Sequence, residues 1–538
     1  MKWIAMTSSS IRSTGPDQPY SDTTAYGNGP NDSITDTAEN AAITHHSVTL
    51  DARQIAYTAT AGHLVTVDRS SSTPTAKMFY VAFTEDTPNP AGRPVTFFYN
   101  GGPGASSVYV LLGSFAPMRL KTEMPNFTPA APYTTEANPD SLLDKSDLVF
   151  INPVGTGYSA AIAPHVNKEF WGVDQDAGSL RQFIKRYLTR YDRWNSPKFL
   201  FGESYGTARS CVLAYLLHED GVDLNGVTLL SSILDYGQAG NPVGLLPTLC
   251  ADAWYHKKIT VAPPPADLPS FMTSVVTFAK NDYAKALAAF PNADPAAVQT
   301  LSNYTGISPV VLTSWEGLNV SDTDKLGTLH FLTALLRADG KALGAYDGRV
   351  LGIDTGIAAA INPLSGGNDP TMTAVNGAYT VAWNSYLEDQ LKFTSTSSFT
   401  DLNDQAFANW DFGHIDPTGA QKGKDVNGNT VLYTAGDLAA VMALNIDLKV
   451  LSANGYFDSV TPFSQTTTDL QNMPLADANV RKNLTIKYYP SGHMVYLDAN
   501  SRTALKADLA ALYDSTVNDR PAVQRVLALQ HAARTNKG

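Results

Sequence analysis

The residues best suited to do chemistry in this 538-residue chain lie in Gly202-Glu-Ser-Tyr-Gly206. Ser204 stands in a G-x-S-x-G pattern, with Phe199-Leu-Phe before it and Cys211-Val-Leu-Ala-Tyr-Leu-Leu after it. The first run reads as a buried strand and the second as a helix, the context in which this pattern marks a nucleophilic serine on a strained strand-to-helix turn. Both flanking positions require glycine, because a Cβ there would strike neighbouring backbone. The following helix offers unpaired N–H groups and the positive end of its dipole to an oxyanion. The bland alternative is a chance match in a chain rich in Gly and Ser, so the serine needs partners.

A serine hydroxyl is a weak nucleophile until a histidine takes its proton, and that histidine needs an orienting carboxylate. With this kind of turn the chain order is Ser, then Asp or Glu, then His. Leu448-Lys-Val-Leu-Ser-Ala-Asn-Gly-Tyr-Phe-Asp458 reads as a buried strand with an aspartate just past its end, and Ile486-Lys-Tyr-Tyr-Pro-Ser-Gly-His493 as a shorter strand, a turn and a histidine. His256, His330 and His414 also follow the serine, but they fall where the strand–helix alternation lapses. Asp447 precedes its strand and Asp498 follows the histidine, which leaves Asp458 as the preferred acid. Upstream, Asn100-Gly-Gly-Pro-Gly104 follows an early strand and packs three glycines into four residues. Backbone N–H groups of such a loop can approach an acyl oxygen closely. The expected oxyanion donors are the N–H groups of Gly102 and of Tyr205, the residue after the nucleophile. The plain alternative for the loop is an ordinary tight turn.

The elements that must position these groups follow from periodicity. Residues 1 to about 40, rich in Ser, Thr, Asp, Asn, Gly and Pro, are expected to form a disordered arm. Around His46–Leu50, Ile55–Thr60 and Ala76–Phe83 the sequence alternates as antiparallel strands at a sheet edge. Val95-Thr-Phe-Phe-Tyr, Leu148-Val-Phe-Ile, Phe199-Leu-Phe, Val227-Thr-Leu-Leu and Leu448-Lys-Val-Leu are apolar on both faces, as strands covered on both sides are. Asp174–Tyr191 carries Leu180, Phe183, Ile184 and Tyr187 at helical spacing. Strand–helix alternation of this kind predicts an α/β fold with a mostly parallel sheet and helices on both faces. The alternation stops in 237–430, expected to be a largely helical cap insertion between core segments 41–236 and 431–538, with a final helix near 499–513.

Composition narrows the partners. A formal charge of −12 argues against nucleic acid or anionic membrane, which select basic patches. No apolar run approaches the roughly 20 residues that span a bilayer. Met1–Met6 is shorter than the apolar core of a secretory signal, roughly 7–15 residues. The two cysteines, Cys211 and Cys250, could be bridged after export or remain free core thiols. His45-His46 is an unconvincing metal site, since strand neighbours point to opposite faces. The expected chemistry needs no metal or organic cofactor.

Taken together these segments resemble the serine carboxypeptidase family of α/β-hydrolases. Asn100-Gly-Gly-Pro-Gly-Ala-Ser-Ser resembles its Asn-Gly-Gly-Pro-Gly-x-Ser-Ser loop, Gly202-Glu-Ser-Tyr-Gly its serine turn, Asn152-Pro-Val-Gly-Thr-Gly-Tyr-Ser its Pro-x-Gly-x-Gly-[Phe/Tyr]-Ser segment, and Gly492-His-Met its histidine motif. Gly455-Tyr-Phe-Asp458 falls where the family has its triad aspartate. The likeness runs over about 90–240 and 445–500. It implies release of C-terminal residues from peptides, through an acyl-enzyme on Ser204, with Asn100, Gly101 and Glu203 at the substrate's terminal carboxylate. A glutamate there must carry a proton, since two ionised carboxylates repel, so acid pH should favour activity. One departure matters: Ser114 stands where the family commonly has a second glutamate, and a like-charged neighbour that would raise Glu203 is lost. The family's loop cysteine is replaced by Ala105. The resemblance implies an exported protein, against which stands the short Met1–Met6 stretch. An esterase or acyltransferase with the same triad is the nearest alternative, and a non-catalytic binding protein on this fold the next.

Overall fold

The computed structural model describes residues 15–517 apart from 69, 88, 325–327, 355–368, 420–427 and 429–430. Among the described residues ten strands form one sheet. In chain order they are β1 (Ala41–Leu50), β2 (Arg53–Val67), β3 (Pro74–Glu85), β4 (Val95–Tyr99), β5 (Asp147–Ile151), β6 (Ala160–Ala161), β7 (Lys198–Glu203), β8 (Gly226–Leu230), β9 (Lys449–Gly455) and β10 (Leu484–Tyr489). The order across the sheet is β10-β9-β8-β7-β4-β5-β3-β2-β1, with β6 on β3. From β10 to β5 every neighbouring pair is parallel. The hairpins β1–β2 and β2–β3, and the β3–β5 pair, are antiparallel. This is the α/β architecture expected from the sequence, antiparallel edge included.

The doubly apolar strands are explained by what covers each face. Phe97, Tyr99, Val149, Ile151 and Leu200 point into one core with helices α1 (Val173–Arg190), α2 (Tyr205–Glu219) and Ala435–Leu444. Their neighbours Phe98, Leu148, Phe150, Phe199 and Phe201 point into the other, with the helix Ala499–Val517. A strand has a side-chain period of two, so a strand between two helical layers is apolar at every position.

Between β8 and β9 the chain leaves the sheet. Helices α3 (Pro242–Tyr255), Leu268–Phe278 and Pro295–Thr305 build a second core, to which Tyr456, Phe457 and Phe463 after β9 also contribute. Helix Pro370–Asp389, from the same excursion, instead buries Tyr379, Trp383 and Leu387 in the main core. Residues 1–14 of the expected arm lie outside the described residues. Residues 15–40 differ from that expectation. Tyr20–Asp22 pairs in parallel with Phe393–Ser395, Ile34 is buried, and Gln18 and Ile34 bridge to Ile43 and Ile162. A segment poor in large apolar groups is ordered here by backbone pairing to distant strands, which its composition does not reveal. Cys211 and Cys250 are buried and both free, which decides between the two alternatives for them.

Candidate active site

The C-terminal ends of parallel strands are where such sheets place their ligand groups, and β7, β9 and β10 each end at a residue of interest. Ser204 follows β7 and precedes α2, with φ 59° and ψ −129°. A non-glycine residue in that region is strained. Space demands glycine at 202 and leaves only a tight fit for a Cβ at 206. A Cβ on Gly202 would lie 2.2 Å from the Gly206 oxygen, and one on Gly206 would lie 3.2 Å from the Asn100 oxygen. Ser204 N–H donates to Leu230 O at the end of β8 (3.0 Å), which anchors the turn to the next strand.

The glycine loop lies directly on this turn. A Cβ at Gly101 would be 2.5 Å from Tyr205 N and 2.7 Å from Glu203 O, and Gly102 has φ +99°. Thus the loop and the first N–H groups of α2 share one small space, and side chains are excluded from it. Beneath it lies a residue that motif reading passed over. Arg209, fully buried, donates to Asn100 O (2.6 Å) and Asp176 Oδ2 (2.5 Å), with its guanidinium 5.3 Å from the Tyr99 ring and 5.1 Å from the Tyr205 ring.

Asp458 and His493 meet as the spacing predicted. His493 Nδ1 lies 2.8 Å from Asp458 Oδ2. The other carboxylate oxygen accepts from Val460 N (2.9 Å) and Thr461 N (3.0 Å), and Thr461 Oγ1 donates to Oδ2 at 2.5 Å. With Nδ1 turned to the carboxylate, Nε2 occupies the opposite edge of the ring. Burial works against a charged imidazole, yet the charge and hydrogen bond of Asp458 outweigh it and hold His493 above its ordinary value. The histidine backbone is tied to the serine's surroundings: Ser231 Oγ donates to His493 O at 2.6 Å, one residue beyond the carbonyl that accepts from Ser204 N–H. The competing residues lie away from this pair or are bonded to other groups. Asp498 accepts from Ser501 N and Arg349, and Asp447 is exposed. His256 bonds Gly348 O, and His414 lies between Asp174 and Asp437. His45 faces Asp17 while His46 reaches Thr44, so the adjacent pair does not converge.

Glu203 is buried one residue before the serine. Its Oε2 accepts from Asn100 Nδ2 (3.0 Å) and from the Tyr496 hydroxyl (2.8 Å). Desolvation is the main influence and pushes its pKa up to about 7, against the opposing effects of His493, Tyr496 and Asn100. Asn100 is itself fixed, since its Oδ1 accepts from Val110 N at 3.0 Å. Ser114 turns its hydroxyl to Val110 O within its own helical turn. The raised value of Glu203 therefore comes mainly from burial, with the charge of Asp458 adding to it, and does not need an acid at position 114. Tyr496 was not found from sequence; its position three residues after His493 is the one available signal.

A cavity of about 200 Å³ adjoins the pair, lined among others by Ile233, Leu245, Tyr346, Val460 and Thr461. Thr461 touches both Asp458 and His493, and Tyr346 meets the imidazole edge-to-face at 5.2 Å. Leu245 and Tyr346 come from the excursion between β8 and β9.

Known proteins resemble the chain over part of its length and in its fold. Residues 51–241 match the family model for serine carboxypeptidase. Serine carboxypeptidase-like 5 of Arabidopsis thaliana is 30% identical over 132 residues, 24% of this chain and 28% of that protein. The lysosomal protective protein of Mus musculus is 27% identical over 184 residues, 34% of this chain and 35% of that protein. The chain thus aligns with about a third or less of the length of either relative. Among solved structures, Kex1(Δ)p, a prohormone-processing carboxypeptidase from Saccharomyces cerevisiae, covers 86% of this chain and 92% of its own, with TM-score 0.50 and 15% identity. That likeness speaks to the fold. Residues 51–241, which carry both the glycine loop and the serine turn, thus match the serine carboxypeptidase family, on a fold that is shared with Kex1(Δ)p.

Proposed function

We propose that the protein is a serine-type carboxypeptidase that removes C-terminal residues from peptides through an acyl-enzyme. Ser204 Oγ attacks the scissile carbonyl while His493 Nε2 takes its proton. Asp458 holds the imidazole and stabilises the imidazolium. The carbonyl oxygen, negative in the tetrahedral intermediate, is met by the N–H groups of Gly102 and Tyr205. The C–N bond then breaks, the imidazolium returns its proton to the departing amine, and water repeats the sequence on the ester.

The observation that carries the exopeptidase reading is the buried Asn100–Glu203–Tyr496 cluster beside the nucleophile. A carboxyl that keeps its proton to about pH 7 can donate to the substrate's terminal carboxylate, and an ionised one cannot. Asn100 and Gly101 line the same place.

Comparing a blocked dipeptide with its C-terminal amide tests the reading. We expect faster hydrolysis of the free acid, with the difference mainly in KM. Equal rates on both would leave a general acyl hydrolase, the esterase-type alternative. A protein whose Ser204 is not labelled by a fluorophosphonate would be a binding protein on this fold.

A further inference from the structure

Residues 345–349, inside the excursion between β8 and β9, thread between the loops that carry Asp458 and His493. Ser459 N–H donates to Ala345 O (3.0 Å), His493 N–H to Tyr346 O (2.6 Å) and Gly348 N–H to Phe457 O (3.0 Å). The contact is close enough that a Cβ on Gly492 would lie 2.4 Å from both Asp347 Cβ and Tyr346 O.

The segment ends in Arg349, which is 7% exposed. Its Nη1 donates to Pro490 O (2.8 Å) and Asp498 Oδ2 (3.0 Å), and its Nη2 to Asp347 Oδ2 (2.8 Å) and Ser491 Oγ (3.4 Å). Nε donates to Asp347 Oδ1 (3.0 Å), and the guanidinium lies 5.2 Å from the Phe457 ring. One cation therefore grips the chain on both sides of His493 and stacks on the residue before Asp458. An exposed ion pair would contribute little. A buried planar fork with this many acceptors fixes geometry in a way that lysine, a compact point charge, does not reproduce.

We propose that Arg349 is a positioning residue for the Asp458–His493 pair. The excursion then does more than wall the cavity: through Arg349 and the Tyr346 carbonyl it holds the catalytic imidazole in register. This inference rests on the hydrolase reading above.

The test uses the full chain with Arg349→Met, Arg349→Lys and Asp498→Asn. The readouts are kcat, KM, the rate of fluorophosphonate labelling of Ser204, and the low-field proton resonance of the His493–Asp458 hydrogen bond. A misplaced imidazole should lower kcat and labelling together, by about tenfold to a hundredfold in Arg349→Met, with KM little changed. The low-field resonance should broaden or move, and Arg349→Lys should restore only part of the activity. A merely structural role predicts a lower melting temperature with kcat and the resonance unchanged, and that result overturns the proposal. If Arg349→Met does not fold, the other two variants carry the comparison, and wild-type kcat in both overturns it equally. Ser204→Ala separates the two levels. If that variant keeps its activity, the hydrolase reading fails, whereas a dead Ser204→Ala with fully active Arg349 variants removes only this inference.

Discussion

Tyr496 donates its hydroxyl to the same Glu203 oxygen that accepts from Asn100, at 2.8 Å and 3.0 Å respectively. Both donors favour the ionised carboxylate, while burial favours the neutral acid and prevails, so Glu203 titrates near pH 7. Burial thus draws the pKa of Glu203, beside the proposed nucleophile, up towards neutrality, and its hydrogen-bonding capacity differs between the two forms.

Glu203→Gln should remove the alkaline limb of the pH profile. The glutamate's value is raised in the folded protein, so its neutral, donating form persists below about pH 7 and is lost above it. For substrates with a free carboxylate, kcat/KM should fall as pH rises through that range. Glutamine donates at every pH, and its profile should stay level there. Rate measurements on the free acid across this range decide the matter, since an unchanged alkaline limb in Glu203→Gln assigns it to another group.

Tyr496→Phe should move that limb to higher pH. The variant deletes a donor that stabilises ionised Glu203, leaving Asn100 as the remaining side-chain donor described here. The folded protein should lose about 1 kcal/mol, the usual net worth of such a bond, at pH values where Glu203 is ionised. A pH–rate midpoint and a thermal melt at alkaline pH report the two effects. A limb displaced to lower pH would contradict the assignment.

Ser204→Ala and His493→Ala should each lower kcat by about 10⁶-fold, and the double variant should be no worse than either, because the two groups act as a unit. Additive losses, measured with a single substrate, would mean that the imidazole at Asp458 does not activate the serine.

Gly101→Ala should weaken transition-state binding. The added Cβ would sit 2.5 Å from Tyr205 N, so the loop or the turn must shift. Loss of one oxyanion donor typically costs about 10²- to 10³-fold in kcat. KM should change much less. An alanine variant with unaltered kcat would place the oxyanion elsewhere.

Much of this molecule was legible in the amino-acid order because some requirements are local. Strands such as Val95–Tyr99 and Asp147–Ile151 are apolar on both faces because each face meets its own helical layer. The glycines around Ser204 mark a backbone that leaves no room for a Cβ at 202 and little at 206. Asp458 and His493, each just past a strand, were the preferred pair on chain order, loop placement and strand context together. What the tertiary structure decided depends on burial and on partners far apart in the chain. Ser114 in place of an acid suggested that Glu203 would lose its proton more readily, yet desolvation keeps its pKa up, and desolvation cannot be read from a neighbouring letter. Tyr496 meets Glu203 across 293 positions, and Arg349 reaches Asp498 across 149. Residues 15–40, unremarkable in composition, are ordered by pairing outside the segment, Tyr20–Asp22 with the remote Phe393–Ser395, Gln18 with Ile43 and Ile34 with Ile162. Local sequence encodes backbone conformation and which faces must be covered, whereas the electrostatics of a buried site arise only when distant segments exclude water from it together.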